Sequence, residues 1–286
     1  MADRHGYPTA AAFVPDSGDL AALAQAALGC HGCDLYEHAS QTVFGEGAAD
    51  AGVVLIGEQP GDVEDRQGKP FVGPAGRLLD AALGDAGIPR DRAYVTNAVK
   101  HFRWKPAPGG GKRRIHQKPD LWEVSACRPW LDAELARLSP RVVVTLGATA
   151  GQALFGASFR IGAVRGDQLS WRREPDAGEL TVVPTVHPSS VIRVQGPEHD
   201  EAYAALVRDL QVAAALLSRL PRPPRQGSWI SAYTARWSLP RTPCTEHAST
   251  AQLRSTSTWS RVTTAPFSGS PQVGVSAVPA WRAASA

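Results

Sequence analysis

The chain has 286 residues, of which 43% are hydrophobic, and 30 basic and 27 acidic side chains give a net charge of +3. That apolar fraction is sufficient for a globular core, and no apolar run reaches the roughly 18 residues of a membrane-spanning helix. The N-terminus lacks the basic-then-apolar pattern of a secretory signal, so we expect a cytoplasmic protein. Four cysteines in that compartment favour metal or redox chemistry over disulfides.

Helical and strand patterns alternate along the first 220 residues. Helices are predicted over residues 19–28, 74–83, 120–138, 148–155 and 200–220. Strands are predicted over residues 52–56, 93–99, 141–146 and 180–186. This alternation predicts an α/β fold, a three-layer α/β/α domain with a central, mainly parallel, four-stranded sheet. Functional loops are then expected at the carboxyl ends of the strands.

The composition changes after Leu220. Residues 221–286 are rich in Ser, Thr, Pro, Ala and Arg, show no periodicity, and carry seven arginines against one acid, Glu246. We expect residues 1–220 to form the folded domain and residues 221–286 to be a disordered tail. Without that tail, the chain holds 23 basic and 26 acidic groups and is slightly acidic.

Residues 100–118 form a basic segment in this acidic domain, with seven Lys or Arg and no acid. Pro and Gly in the middle of the segment disfavour a regular helix or strand there. A mobile basic loop suits a polyanion, because Lys and Arg neutralise phosphates. His116, which ends the run Lys112–His116, would meet such a ligand as an acid, a base or a nucleophile. The alternative is a solvated run of charges with an incidental histidine.

Candidate binding residues follow three of the predicted strands. The turn at 57–62 presents backbone N–H groups and a carboxylate, and Phe71 lies in the glycine-rich segment after it. Phe71 is either a stacking platform for a nucleic-acid base or a core residue. Asn97 either reads the edge of a pyrimidine, with one donor and one acceptor, or caps a turn. His187 is placed to donate to a carbonyl oxygen on which negative charge develops.

Several of these motifs together resemble one known family. The segments that carry the resemblance are residues 57–61, 69–76, 96–100, 126–129, 141–147 and 187–190. In order and placement they resemble the iron–sulfur uracil-DNA glycosylases of family 4. The insertion Lys112–His116 and the glutamine at position 59 are similar to the UdgX branch. The resemblance covers roughly residues 30–220 and leaves out the tail.

The resemblance implies the excision of uracil from DNA. Phe71 would stack on the flipped uracil, Asn97 would read its edge, and His187 would stabilise the uracil anion as the glycosidic bond breaks. It also implies that Glu58 and Gln59 line the sugar side. Further substrate-binding positions implied by the same motifs are Gly57, Arg114 and Ser189.

The UdgX branch differs from ordinary members in how the sugar cation is captured. In ordinary members a water attacks C1′, whereas in the UdgX branch the loop histidine, His116 here, attacks it and leaves the protein covalently joined to DNA. Family 4 usually has a small residue at the position of Gln59, and other uracil glycosylases have an Asp. The chain therefore lacks the usual water-activating Asp, which favours capture by histidine.

Three cysteines of the domain are candidate metal ligands. Cys30 and Cys33 have a spacing at which both can bind one metal centre, and Cys127 lies in a predicted helix. Family 4 places a further ligand directly after the Asn motif, where this chain has His101. The resemblance thus implies a 4Fe–4S cluster held by these four residues. Inert core cysteines with a surface His101, or a zinc site, are the alternatives. Cys244, in the tail, is expected to take no part.

The partner we expect is uracil-containing DNA, preferentially single-stranded, bound by a monomeric protein that has no contact with membranes. Two other functions compete with capture. One is a glycosylase that turns over normally, in which His116 only contacts phosphate. The other is a non-catalytic iron–sulfur module that binds nucleic acid.

Overall fold

The computed structural model describes residues 6–109, 112–173 and 178–219. The strands are β1 (Glu46–Gly47), β2 (Val53–Gly57), β3 (Ala93–Asn97), β4 (Trp104–Pro106), β5 (Arg114–His116), β6 (Val142–Leu146), β7 (Leu169–Trp171) and β8 (Leu180–Thr185). The α-helices are α1 (Leu20–Ala27), α2 (Asp62–Gln67), α3 (Pro74–Asp85), α4 (Leu121–Leu138), α5 (Ala148–Phe155), α6 (Pro188–Arg193) and α7 (Glu198–Arg219). None of these helices has the length and apolarity needed to cross a membrane.

One sheet of six strands, in the order β1-β3-β2-β6-β8-β7, forms the centre of the domain. Its four inner strands are parallel and are the four that the sequence predicts. The predicted α/β fold with a mainly parallel sheet is therefore confirmed. The outer strands β1 and β7 pair antiparallel and extend the four predicted strands to six. They have two and three residues, too few to show a periodicity in the sequence.

Helices cover both faces of the sheet, as the three-layer prediction requires. Successive residues of β2 alternate between two apolar clusters. Val54 and Ile56 belong to the cluster that contains α1 and α4, whereas Val53 and Leu55 belong to the cluster that contains α3 and α7. A strand that is buried on both faces has no polar side, which explains the uninterrupted apolar run in the sequence.

Local signals fix where the helices begin. The Asp19 side chain accepts the N–H of Ala22 at 2.9 Å at the start of α1. Asp120 caps α4 in a capping box completed by Glu123. Pro74 is the first residue of α3, where its missing N–H leaves no helical hydrogen bond unmade.

The basic segment is a β-hairpin whose tip, residues 110–111, lies outside the described residues. Strands β4 and β5 pair antiparallel, with Trp104 opposite His116. Three of the seven cations are held in ion pairs, and the pairs are Lys100 with Glu134, Arg103 with Asp120 and Glu123, and Arg114 with Asp62 and Asp65. The segment has no acid of its own, but distant parts of the chain supply acids that pair with three of its seven cations. The exposed cations are Lys105, Lys112, Arg113 and Lys118.

Deleting residues 221–286 should leave the domain folded. Both apolar clusters are built from residues within 10–217, so the deletion removes no core contact among the described residues. The predicted tail itself lies outside those residues. We expect the shortened protein to be soluble and to unfold thermally at the same midpoint as the full chain. Insolubility, or a melting point lower by about 5 °C or more, which corresponds to roughly 1 kcal/mol or more, would contradict the boundary at Leu220.

Candidate active site

A cavity of about 560 Å³ opens at the carboxyl ends of the parallel strands. Loops that follow β2, β3, β6 and β8 contribute to its wall, as expected for a doubly wound sheet. The predicted site residues that line it are Glu58, Gln59, Phe71, Asn97, His116, His187 and Ser189. The fold thus brings seven sequence-predicted residues to one place, although they are spread over residues 58–189 of the chain.

Phe71 is held in a strained backbone conformation on one wall. Its φ is +56°, a left-handed value that is costly for a bulky residue. Close packing enforces it, because a Cβ at Gly76 would lie 1.7 Å from the carbonyl oxygen of Phe71. The N–H of Gly73 donates to Glu64 Oε1 at 2.8 Å and fixes the same loop. The Phe71 ring faces His187, with centroids 6.2 Å apart and planes 26° from parallel.

Asn97 carries an acceptor that nothing in the described chain satisfies. The residue is 3% exposed, and its Oδ1 has no hydrogen-bond partner among the described residues. An unmade bond at a buried polar atom costs about 1–3 kcal/mol, so this atom marks a place where a ligand donor is expected. Gly57 makes room for it, since a Cβ there would lie 2.3 Å from Asn97 Oδ1 and 2.6 Å from Phe71 Cζ.

His187 presents a proton to the cavity. Its Nδ1 accepts the N–H of Ser189 at 3.1 Å and lies 2.8 Å from the Ser189 hydroxyl. Because Nδ1 is the acceptor, Nε2 carries the proton of the neutral ring. Burial lowers the pKa of His187 to about 4, and His116 and Arg193 add to the decrease. At physiological pH the ring is thus a neutral hydrogen-bond donor.

Gln59 connects the β2 loop to the base of the hairpin. Its Oε1 accepts the Arg103 N–H at 2.9 Å, and its Nε2 donates to the carbonyl oxygens of Gln117 at 2.9 Å and Arg103 at 3.2 Å. These partners fix the orientation of the amide, so that its NH2 group faces His116 Nε2 at 2.8 Å. An amide NH2 group accepts no hydrogen bond, which favours a lone pair over a proton on His116 Nε2.

His116 itself is half exposed at the cavity rim. Its Nε2 lies 3.4 Å from Glu58 Oε1. Burial lowers the pKa of His116, and although the Glu58 carboxylate raises it and Arg193 lowers it further, the net change is downward from 6.5. The ring is therefore neutral at physiological pH, with an unprotonated nitrogen directed at Gln59 and Glu58.

Glu58 is oriented by a residue that the sequence reading missed. The hydroxyl of Thr149, in the first turn of α5, donates to Glu58 Oε2. This contact turns Oε1 towards His116 and the cavity. No local sequence signal connects the two, because they are 91 positions apart and meet only when β2 and β6 pair.

Arg114 does not line the cavity wall. Its guanidinium pairs with Asp62 and Asp65 of α2. It also packs over the rings of Phe102 and Trp104, with centroid distances of 5.2 and 5.4 Å. These contacts anchor the hairpin that carries His116. The substrate contact predicted for Arg114 stays a prediction.

The three cysteines of the domain are buried and close to one another. All are free thiols, 4–5% exposed. Burial, together with the neighbouring Cys127, raises the pKa of Cys33, and burial raises the pKa of Cys127 to about 12. Backbone and indole N–H groups point at two of the sulfurs, from Lys100 to Cys127 at 3.3 Å and from Trp130 to Cys30 at 3.2 Å. Thiolates buried in this way need a cation beside them, and N–H donors to sulfur surround metal-bound thiolates.

His101, the predicted fourth ligand, follows Lys100 and is 4% exposed, so the alternative of a surface histidine is wrong. Its Nε2 lies 2.9 Å from Thr42 Oγ1, whose hydroxyl donates to the carbonyl oxygen of Ala27. Nε2 therefore carries the ring proton, and Nδ1 keeps the lone pair that a ligand needs. Burial lowers the pKa of His101 to about 4. Within residues 6–109, 112–173 and 178–219, however, no group of three or more His, Cys, Asp or Glu has metal-binding geometry. The donor types fit a thiolate-bound cluster, whereas the described residues form no such group around a single metal ion.

Comparison with known proteins defines the class. The model of the uracil DNA glycosylase superfamily matches residues 44–211, and the chain belongs to this superfamily. Within it, the chain is similar to proteins named Type-4 uracil-DNA glycosylase. That of Thermotoga maritima is 34% identical over 191 residues, which cover 66% of this chain and 90% of that protein. That of Pyrobaculum aerophilum is 35% identical over a region that covers 61% of this chain and 85% of that protein. That of Sulfurisphaera tokodaii is 33% identical over a region that covers 60% of this chain and 76% of that protein.

Replacing Gly57 with alanine should damage the site more than the fold. The new Cβ would lie 2.3 Å from Asn97 Oδ1 and 2.6 Å from Phe71 Cζ, so both side chains must move. Misplacement of this size lowers the reaction rate on the order of 10²-fold. The measurement is single-turnover release of uracil from a uracil-containing oligonucleotide.

Gly84→Ala is the matched control. Gly84 is also in a regular element, but a Cβ there meets nothing within 4 Å. We expect this variant to be as active as wild type and equally or slightly more stable. Equal activity of the two variants would show that the close approach at Gly57 has no role in catalysis.

Proposed function

We propose that the protein excises uracil from DNA and that Phe71, Asn97 and His187 hold the leaving base. The main support is the unsatisfied Oδ1 of Asn97 in the same cavity as the neutral N–H of His187. Uracil offers a donor at N3 and acceptors at O4 and O2. The carboxamide of Asn97 pairs with N3–H and O4, and His187 Nε2–H donates to O2.

The chemistry follows from this pairing. When the bond between C1′ and N1 breaks, the electron pair moves onto the base, and negative charge accumulates on O2. A donor already aimed at that oxygen stabilises the charge as it develops, without reorganisation. A neutral histidine suits this role, because its proton is shared with the uracil anion rather than lost to solvent. Phe71, held rigidly at positive φ, supplies a stacking surface for the flipped base.

The sugar cation is captured by His116 in this proposal. The lone pair on Nε2 attacks C1′, a bond forms between them, and the imidazolium that results can release its Nδ1 proton to solvent. Glu58, 3.4 Å away, stabilises the positive charge on the sugar and then on the ring. Tethering gives the ring a high effective concentration over water. Gln59 supports capture because hydrogen bonds to the hairpin already occupy its amide.

Normal turnover is the alternative. Glu58 Oε1 faces the cavity and is the group that would orient an attacking water. In that case His116 would only line the sugar side. A non-catalytic module is a weaker alternative, because binding alone requires neither the neutral donor at His187 nor the strained Phe71.

DNA would approach over the exposed cations of the hairpin, Lys105, Lys112, Arg113 and Lys118. Arg193, at the cavity wall, extends this surface. Phosphate neutralisation by these side chains makes binding salt-dependent. Preference for single-stranded DNA, a monomeric state and a cytoplasmic location stay predictions.

The proposal includes a 4Fe–4S cluster held by Cys30, Cys33, Cys127 and His101. The support is the burial of the three thiols, the N–H donors to two of them, and the lone pair left on His101 Nδ1. A cluster here would supply a crosslink between the segment after α1, the segment after β3 and helix α4, and we assign it no chemical step.

His116→Ser should abolish covalent capture and leave some uracil release. Serine lacks the imidazole lone pair, while water can still reach C1′ and the groups that hold the base are unchanged. The measurement is a denaturing gel of protein mixed with uracil-containing single-stranded DNA. Wild type should give a band that survives heat and SDS, and the variant should give abasic DNA without that band.

His199→Ser is the control, since His199 is a partly exposed histidine in the first turn of α7 and does not line the cavity. It should form the adduct at the wild-type rate. An SDS-stable adduct from His116→Ser would assign capture to another residue. Abasic DNA with no adduct from the wild-type protein would favour turnover by water, and neither product would favour the binding module.

The purified protein should be brown and contain about four iron atoms per chain, as expected for one 4Fe–4S cluster. Cys127→Ser should lose the iron and the visible absorption, because it removes a buried sulfur ligand. Cys244→Ser should keep both, although Cys244 lies outside the described residues. His101→Ala tests the fourth ligand, and retention of full iron by that variant would remove His101 from the ligand set.

A further inference from the structure

An ion pair with no solvent exposure lies behind the Asn97 loop. Lys100 Nζ and Glu134 Oε2 are 2.6 Å apart, and both side chains are 0% exposed. Neither residue lines the cavity, and the reaction proposed above uses neither of them. Such a pair contributes little net stability, because the cost of removing two charges from water offsets their attraction. Its presence beside an active site therefore calls for another explanation.

The network around the pair is complete. The Lys100 ammonium donates its three protons to Glu134, to Thr96 Oγ1 at 2.6 Å and to the carbonyl oxygen of Asn97 at 2.9 Å. Glu134 Oε1 accepts the Tyr94 hydroxyl at 2.9 Å. Lys100 thus donates one of its three hydrogen bonds to the main chain of Asn97, the residue that we propose recognises uracil.

Helix α4 holds Lys100 at two points. Glu134 binds its side chain, and Cys127, two turns earlier on the same helix, accepts its backbone N–H at 3.3 Å. The Lys100 carbonyl oxygen accepts the N–H of Val43 at 2.8 Å. The peptide groups that follow Asn97 are therefore fixed from both sides of the chain.

Asn97 needs this external support. Its Oδ1 forms no hydrogen bond with the described residues before a ligand arrives, so the carboxamide cannot anchor itself through that atom. Its direction depends on its own backbone and on packing against Gly57 and Phe71. Two contacts hold the peptide group between Asn97 and Ala98. The Ala98 N–H donates to the Gly57 carbonyl oxygen at 2.9 Å, and Lys100 Nζ donates to the Asn97 carbonyl oxygen at 2.9 Å.

We propose that Lys100 and Glu134 are positioning residues, which hold the Asn97 carboxamide in the orientation that binds uracil. The inference rests on the proposed reading of uracil by Asn97. The contact with Glu134 holds Lys100 Nζ in place, directed at the Asn97 carbonyl oxygen. The pair thus supports base recognition through a hydrogen bond that an apolar pair of the same size could not make.

The test is the double variant Lys100→Met/Glu134→Leu, which replaces both charges with apolar groups of similar volume. Replacement of a whole buried pair is commonly neutral for folding. We expect a folded protein with wild-type iron content, a fall of ~10²-fold in single-turnover uracil release, and a matching loss of inhibition by free uracil. Inhibition by free uracil reports base binding directly, and a purely structural role would not change it in a stably folded protein.

Two further variants keep the test decisive. If the double variant does not fold, Lys100→Met/Glu134→Gln replaces it, because glutamine leaves Tyr94 and Thr96 a neutral acceptor; the same losses are expected. Leu135→Ala, a buried position on the same helix, is the control. It should lower stability and leave inhibition by free uracil at the wild-type value.

Asn97→Asp, measured in parallel, separates the two proposals. If Asn97→Asp releases uracil at the wild-type rate, the proposed reading of uracil by Asn97 is wrong. If Asn97→Asp is impaired but the folded double variant retains wild-type release and inhibition by free uracil, the positioning role alone is overturned.

Discussion

The pairing of β2 with β3 is the constraint on which the site depends. In this parallel ladder Gly57 lies directly beside Asn97, at the last pair of the register. The absence of a side chain at Gly57 lets the Asn97 carboxamide and the Phe71 ring approach each other over the end of the sheet. A one-residue change of register would place a bulky neighbour there. The chemistry of the cavity therefore depends on a backbone match formed in the interior of the sheet.

Electrostatics divides the cations of the hairpin into two groups with different uses. Arg103 and Arg114 are paired with acids of α2 and of the first turn of α4, and these contacts hold the hairpin against the domain. The exposed lysines and Arg113 face solvent, where they are available to phosphates. A segment that looks uniformly basic in sequence thus has an anchoring side and a binding side. This division explains how His116 can be both carried on a projecting hairpin and held at a defined distance from Glu58.

Much of the fold and the location of the site could be predicted from sequence because their signals are local. The run 52–56 ends at Gly57, and Asn97 and His187 each follow a buried strand; parallel strands then bring their loops to one edge. The contacts that tune these residues could not be predicted, since they join distant positions. Glu134 is 34 residues from Lys100, and Asp65 is 49 residues from Arg114. Charges counted along the chain do not show that the hairpin is paired with distant acids, and the proton position on His116 depends on Gln59, 57 residues away.

The edges of the sheet bear on how the protein behaves when it is concentrated. Four parallel, largely apolar strands would offer an adjoining molecule unpaired ladders on both sides, the template from which intermolecular β-structure grows. Strands β1 and β7 cover those ladders but are only two and three residues long. Edge strands this short offer an incoming strand few consecutive backbone N–H and C=O groups to pair with. Both also run antiparallel to the inner four strands, so the parallel pairing does not continue to the edge. The two smallest elements of the sheet thereby protect its most aggregation-prone strands from self-association.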